Sequence, residues 1–185
     1  MGIGQIARKL PAVFLDRDGI LNRAIVRNGK PYPPGRLEEL EILPGTVTSL
    51  RELQAAGYLL IGITNQPDVA RGQQSREAVE LINARILERL PLREIFVCYH
   101  DDADHCQCRK PKPGLILNAA DKYGLDLPRS WMIGDRWKDI AAGQAAGLKT
   151  IFVDYHYSEI YMGNPATYTV PDPQYLAHTI LEGSK

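Results

Sequence analysis

The feature that most restricts the fold is a series of short apolar runs that do not alternate with polar residues. They occupy positions 12–15, 59–63, 95–98, 131–133 and 150–153, and the first two end at Asp16 and Thr64. A strand with one wet face alternates. A strand covered on both faces is apolar throughout, as in a parallel sheet flanked by helices. Helical patterns lie between the runs: Val47, Leu50 and Leu53 in residues 44–56, and Ala78, Val79, Ile82, Ile86 and Leu90 in residues 75–90. Residues 114–123 follow Pro113, and residues 135–146 are rich in Ala. Gly57, Gly124 and Gly147 each close a helix before an apolar residue, where a left-handed cap carries no Cβ penalty. The pattern predicts a three-layer α/β/α, doubly wound domain with a mainly parallel sheet. At 185 residues the chain suits one domain, 1–185, with its core at about 11–153.

The long polar connections, 22–43, 65–74 and 99–113, each follow a strand. In open α/β sheets the loops at the carboxyl ends of strands build the ligand site. The tyrosine-bearing stretch 154–173 is expected to be ordinary surface packing, with a lid or a dimer contact as the alternative.

The first of these strand ends reads Phe14-Leu15-Asp16-Arg17-Asp18-Gly19-Ile20-Leu21-Asn22. Alone, two carboxylates before a Gly suit a solvated turn or a calcium loop equally well. An EF-hand needs further oxygen ligands and a closing Glu, which are missing here. A Gly-x-x-x-x-Gly-Lys-Ser/Thr loop is also absent, so a kinase-type phosphate cradle is not expected. Further along come Thr64-Asn65-Gln66, Arg109-Lys110-Pro111-Lys112-Pro113 and Gly134-Asp135-Arg136-Trp137-Lys138-Asp139. A hydroxyl and free N–H groups can donate to phosphate oxygens, and fixed cations can hold them. Asp135 and Asp139, four apart, are expected on one face of the helix they begin. Each group alone also has a plain structural reading, whether a strand end, a basic loop or acids opposing a helix dipole.

Cys98, His100, Cys106 and Cys108 fall within one loop. An odd cysteine number is a poor disulfide framework, and three thiolates with one imidazole suit a closed, structural Zn²⁺ site. His105 is the competing imidazole, and three incidental cysteines are the plain alternative. The 22 basic and 22 acidic residues cancel, so no broad surface for nucleic acid is expected. No apolar run reaches membrane-span length, and the first ten residues fit neither a signal peptide nor a myristoylation sequence, since position 6 is Ile. The expected setting is cytoplasmic, with the chain a monomer or small homo-oligomer.

Taken in order, Asp16-x-Asp18-Gly, Thr64-Asn65-Gln66, Lys110-Pro111 and Gly134-Asp135-x-x-x-Asp139 resemble the motifs of the haloacid dehalogenase (HAD) superfamily. With Cys-Arg-Lys-Pro added, they resemble its small branch without a large cap domain. That branch holds D-glycero-D-manno-heptose 1,7-bisphosphate phosphatases and histidinol-phosphate phosphatases. The resemblance covers about 11–153. It implies a HAD-like Rossmannoid fold and hydrolysis of a small phosphorylated metabolite through an aspartyl-phosphate. Asp16 would be the nucleophile and Asp18 the general acid and base, with Thr64 and Lys110 holding the transferring oxygens. Mg²⁺ would sit among Asp16, Asp18 and Asp135, with Asp139 behind them, and Zn²⁺ in a loop at about 98–110. Asn22, Asn65, Arg109 and Arg136 are expected substrate contacts. Ile20 replaces a Thr common in relatives, and 24–40 departs from the usual recognition segment. The preferred substrate is a heptose bisphosphate, then histidinol phosphate. A nucleic-acid-end phosphatase and a non-catalytic zinc-stabilised interaction domain are the remaining readings.

Overall fold

The computed structural model describes residues 9–184. The expectations for the extreme N-terminus rest largely on residues 1–8, outside the described residues. The strands are β1 (Ala12–Leu15), β2 (Ile25–Arg27), β3 (Lys30–Tyr32), β4 (Leu59–Asn65), β5 (Glu94–Cys98), β6 (Trp131–Gly134), β7 (Lys149–Val153) and β8 (Tyr168–Val170). The helices are α1 (Pro44–Ala55), α2 (Arg76–Arg89), α3 (Gly114–Tyr123), α4 (Trp137–Ala145) and α5 (Leu176–Glu182).

The main sheet is six-stranded, in the order β5-β4-β1-β6-β7-β8, and every pairing in it is parallel. Its apolar strands are sandwiched as their composition predicts. Successive side chains point to opposite faces, so Val13 and Leu15 of β1 enter one core with Leu50, Leu53, Ile82 and Ile180. Ala12 and Phe14 enter the other, with Leu115, Ile116 and Ala142. The first core lies under α1, α2 and α5, and the second under α3 and α4. Gly57, Gly124 and Gly147 all have positive φ, at +89°, +61° and +77°.

The chain winds from β1 out to β5, then returns to the far side of β1 to build β6, β7 and β8. The winding direction therefore changes beside β1, the position where such sheets leave a crevice at their carboxyl ends. The largest excursion near that crevice is the antiparallel hairpin β2–β3, and no cap domain stands over it among the described residues. No helix among them is long and apolar enough to cross a membrane.

The structure departs from the sequence reading at the start of α4 and beyond β7. Helix α4 starts at Trp137 rather than Asp135, because Arg136 is extended at φ −126° and ψ 150°. Strand β8 and helix α5 add a further edge and cover to the sheet beyond the expected core.

Candidate active site

The loop leaving β1 turns back at once. The N–H groups of Leu21 and Asn22 donate to the Arg17 carbonyl at 2.8 and 3.1 Å, and Gly19 N–H donates to the Asn22 carbonyl at 2.7 Å. Gly19 sits at φ +94°, in the left-handed region. A Cβ there would lie 1.9 Å from Asp135 Oδ2, so the loop and the end of β6 touch only because this residue has no side chain. Gly134 is a second such notch, where a Cβ would meet the Asp139 side chain at 2.2 Å.

Asp16, Asp135 and Asp139 are all buried and bring carboxylate oxygens within 4.8 Å of one another. Asp135 and Asp139 do not share a helix face. Asp135 precedes α4, and Asp139 turns back to accept the Arg136 N–H at 3.1 Å. Lys110, itself 3% exposed, reaches them from the loop before α3. Its Nζ lies 2.8 Å from Asp16 Oδ1 and 2.6 Å from Asp139 Oδ1, and donates to the Ile63 carbonyl at 2.8 Å. Burial works against the Lys110 ammonium, but Asp139 and Asp16 outweigh it and hold its pKa above the ordinary value. Burial, with Asp139 and Asp18 as like charges, raises the Asp16 carboxyl to about 7 although Lys110 opposes the rise. Burial and the same kind of crowding raise Asp135 well above its ordinary value.

Asp135 Oδ1 is buried without a hydrogen-bond partner. A buried carboxylate oxygen left open beside two more carboxylates is a donor set for a hard cation. Asp16 accepts the Arg17 N–H at 2.7 Å and the Lys110 ammonium, both on Oδ1. Asp18 is held by Arg17 Nε at 3.1 and 3.2 Å, by Asn22 Nδ2 at 3.1 Å and by Gln66 Nε2 at 2.9 Å. Thr64, next to last in β4, is buried, and its Oγ1 accepts from Gln66 Nε2 at 2.8 Å.

The expected substrate contacts divide. Asn65 lines the cleft, and its amide makes two hydrogen bonds to the backbone of Lys110, at 3.0 and 3.1 Å. Arg109 and Arg136 also line it, but each already carries a carboxylate: Asp102 at 2.8 Å and Glu159 at 2.5 Å. Asn22 does not reach the cleft. It is fully buried, with its Nδ2 given to Asp18 and to the Arg23 carbonyl at 3.0 Å. Its place inside the tight β1 loop turns it toward the nearer carboxylate.

The residues that sequence reasoning missed act across loops. Arg17 is fully buried, with Nη1 donating to Asn83 of α2 at 3.1 Å. The stretch after β7 is more than surface packing. Tyr155 Oη donates to the Gly19 carbonyl at 2.8 Å, and Tyr157 Oη to Asp135 Oδ2 at 3.0 Å. The available signal was the spacing of Tyr155, Tyr157 and Glu159 on alternate positions just past a strand beside β6.

Cys98, His100, Cys106 and Cys108 meet at the end of β5. The sulfurs are 3.3, 3.4 and 3.7 Å apart, and His100 Nδ1 is 3.3 Å from Cys108 Sγ and 3.6 Å from Cys98 Sγ. Metal–sulfur bonds of ~2.3 Å in a tetrahedron put sulfurs ~3.8 Å apart, so a small opening of the cluster around Zn²⁺ fits. Burial pushes the Cys106 thiol up, but hydrogen bonds from Cys108 and neighbouring backbone outweigh it and bring it to about 7. His105 stands outside the cluster, capping a 3₁₀ turn at φ +47°.

The HAD-hydrolase-like family model matches residues 107–181. The chain is 37% identical over 154 residues to the D-glycero-beta-D-manno-heptose-1,7-bisphosphate 7-phosphatase of Rhodopseudomonas palustris, covering 77% of this chain and 82% of that one. It is 33% identical to the Escherichia coli K12 enzyme of the same name, over 78% of this chain and 79% of that one. Among solved structures, the D,D-heptose 1,7-bisphosphate phosphatase of B. bronchiseptica, complexed with magnesium and phosphate, superposes with a TM-score of 0.79 at 26% identity, covering 94% of this chain and 99% of that one. A putative HAD-like phosphatase from Mesorhizobium loti gives 0.77 at 27% identity, covering 100% of this chain and 90% of that one. With the acid cluster at the crevice beside β1, these likenesses make the chain a member of the HAD-like hydrolases and a phosphatase of that family.

Proposed function

We propose that this chain removes one phosphate from a sugar bisphosphate, with a heptose 1,7-bisphosphate as the first candidate. The observation that carries the reading is the buried cluster of Asp16, Asp135 and Asp139 with one ammonium, Lys110, bridging Asp16 and Asp139. A phosphate dianion entering it would meet repulsion of about 4 kcal/mol per unit charge pair at ~4 Å and an effective dielectric of ~20. The carboxylates of Asp16 and Asp135 and the backbone carbonyl of Asp18, with Asp139 behind them, would hold Mg²⁺. Magnesium bound there supplies the positive charge that offsets this repulsion. The orphaned Asp135 Oδ1 supports that assignment.

In this reading Asp16 attacks phosphorus in line and takes the phosphoryl group as an acyl phosphate. With Lys110 and the Arg17 N–H both on Oδ1, Oδ2 is the oxygen that attacks. Asp18, fixed by Arg17, Asn22 and Gln66, gives its proton to the leaving alkoxide. It then takes a proton from the water that opens the acyl phosphate. Lys110 and the Thr64 end of β4 steady the transferring oxygens. Zn²⁺ on Cys98, His100, Cys106 and Cys108 locks the loop that delivers Lys110, which Asn65 hooks to β4.

A second phosphate needs cations that are not already neutralised. In the cleft wall Arg71 is paired to Asp101 and Asp68, Arg109 to Asp102 and Arg136 to Glu159. Lys30 of β3 and Lys138 of α4 line the same cleft and have no carboxylate within ion-pair distance among the described residues. These two lysines, rather than Arg109 and Arg136, are assigned to the distal phosphate.

The test is phosphate release from heptose 1,7-bisphosphates, histidinol phosphate and a 5′-phosphorylated oligonucleotide, with and without magnesium. The reading expects magnesium-dependent release from the heptose bisphosphates first, abolished by Asp16→Asn in a folded protein. Wild-type turnover by Asp16→Asn would remove the nucleophile assignment. Preference for the oligonucleotide would replace the sugar.

A further inference from the structure

The segment after β7 makes contacts that the chemistry above does not use. Tyr155, Tyr157 and Glu159 are half-buried and alternate with exposed His156, Ser158 and Ile160, so the three turn toward the protein and the others toward solvent. Each takes hold of a loop at the acid cluster. Tyr155 donates to the Gly19 carbonyl at 2.8 Å, Tyr157 to Asp135 Oδ2 at 3.0 Å, and Glu159 accepts from Arg136 Nε at 2.8 Å. The two phenol rings lie 5.7 Å apart and pack on each other. The segment is a strap across the ends of β1 and β6.

Asp135 depends on this strap more than its neighbours do. Asp16 and Asp139 share the Lys110 ammonium, whose remaining contact is the Ile63 carbonyl. Asp135 has one hydrogen-bond donor among the described residues, the Tyr157 phenol, and it binds Oδ2 only. Two like-charged carboxylates push Asp135 outward, while the missing Cβ of Gly19 leaves a slot for Oδ2. A phenol that grips Oδ2 in that slot turns the empty Oδ1 inward.

We propose that Tyr157 is a positioning residue that presents Asp135 Oδ1 to the divalent cation and so sets the affinity of the site for it. The inference rests on the magnesium reading given above. Outer partners of metal-binding side chains typically change metal affinity by about 10- to 100-fold when removed.

The experiment titrates Mg²⁺ into purified wild type, Tyr157→Phe and Tyr161→Phe by calorimetry, then measures phosphate release across magnesium concentrations. Tyr161→Phe is the control, since its hydroxyl donates to the Asn164 carbonyl within the same segment and touches no acid of the cluster. The expected result is a dissociation constant about 10- to 100-fold higher for Tyr157→Phe, with wild-type affinity in the control. Turnover at saturating magnesium should fall by only a few-fold, so the loss appears in the magnesium requirement. Equal magnesium affinity in Tyr157→Phe and wild type overturns the proposal. An equal loss in both variants also overturns it, since general loosening of the strap would then be the cause. Wild type that neither binds Mg²⁺ nor loses activity in a chelator would instead bring down the magnesium reading, and the inference with it.

Discussion

Replacing Gly19 by Ala tests the contact on which the acid cluster is built, and Gly57→Ala provides its control. The two glycines have nearly the same backbone, φ +94° and +89°. Forcing an L side chain into left-handed backbone costs roughly 1–2 kcal/mol at either position. The smaller unfolded-state entropy of Ala gives back ~0.4–1 kcal/mol at both, so the two effects cancel in the comparison. What differs is the space. A Cβ on Gly57 meets nothing within 4 Å, whereas on Gly19 it lands 1.9 Å from Asp135 Oδ2 and 2.5 Å from its Cγ. Asp135 is buried and hemmed by Tyr157 and Asp16, so either the carboxylate or the Asp16–Asn22 loop must move. Overpacking of this kind costs about 1–3 kcal/mol. Gly19→Ala should therefore lose that much more stability than Gly57→Ala, or roughly 2–12 °C in midpoint for a domain of this size. Equilibrium urea unfolding of both variants at pH 7.5 measures the difference. Phosphate release with magnesium should collapse only in Gly19→Ala. Equal destabilisation of the two variants, or normal turnover by Gly19→Ala, would refute the reasoning.

Removing zinc with a strong chelator should lower the thermal midpoint and activity together, because the Cys98–Cys108 loop leads straight into Lys110. Protein that elemental analysis finds free of zinc, yet stable and active, would count against that site. Lys30→Ala and Lys138→Ala should each raise KM for a bisphosphate by about 10- to 150-fold, the worth of a charge-assisted hydrogen bond, while leaving a monophosphate ester nearly unaffected. Equal effects on both substrates would place the lysines elsewhere in the reaction. In metal-free protein the folded chain keeps a proton on Asp16 between its ordinary value of 3.8 and about 7, through burial, Asp139 and Asp18 against Lys110. The folded state thus binds more protons than the unfolded one in that window, and this contribution to stability declines as pH rises from about 4 to 7. Asp16→Asn lacks the titration, so the stability gap should shift in the variant's favour over the same range. Magnesium affinity should rise with pH there, and a pH-independent gap or affinity would contradict the assignment.

How far the sequence reaches is clearest at β1 and its loop. Four buried residues in Ala12–Leu15 specify a strand covered on both faces, and the same local logic found β4, β5, β6 and β7. Asp16, Asp135, Asp139 and Lys110 were legible as candidates because each stands where a strand or loop reaches the crevice, and Cys98, His100, Cys106 and Cys108 because metal ligands are defined by residue type and spacing. Chemistry carried by side-chain type and local periodicity is written in the order of residues. Only packing decided what each group touches. Arg17 meets Asn83, Gln66 meets Asp18, and Tyr157 meets Asp135 across loops distant in sequence. Asn22 turns inward, and Arg109 and Arg136 are already bound to carboxylates. Contacts of this kind depend on where two independently folded loops come to rest. That is set by the sheet order and by the space a missing Cβ leaves, neither of which has a period or a spacing to read.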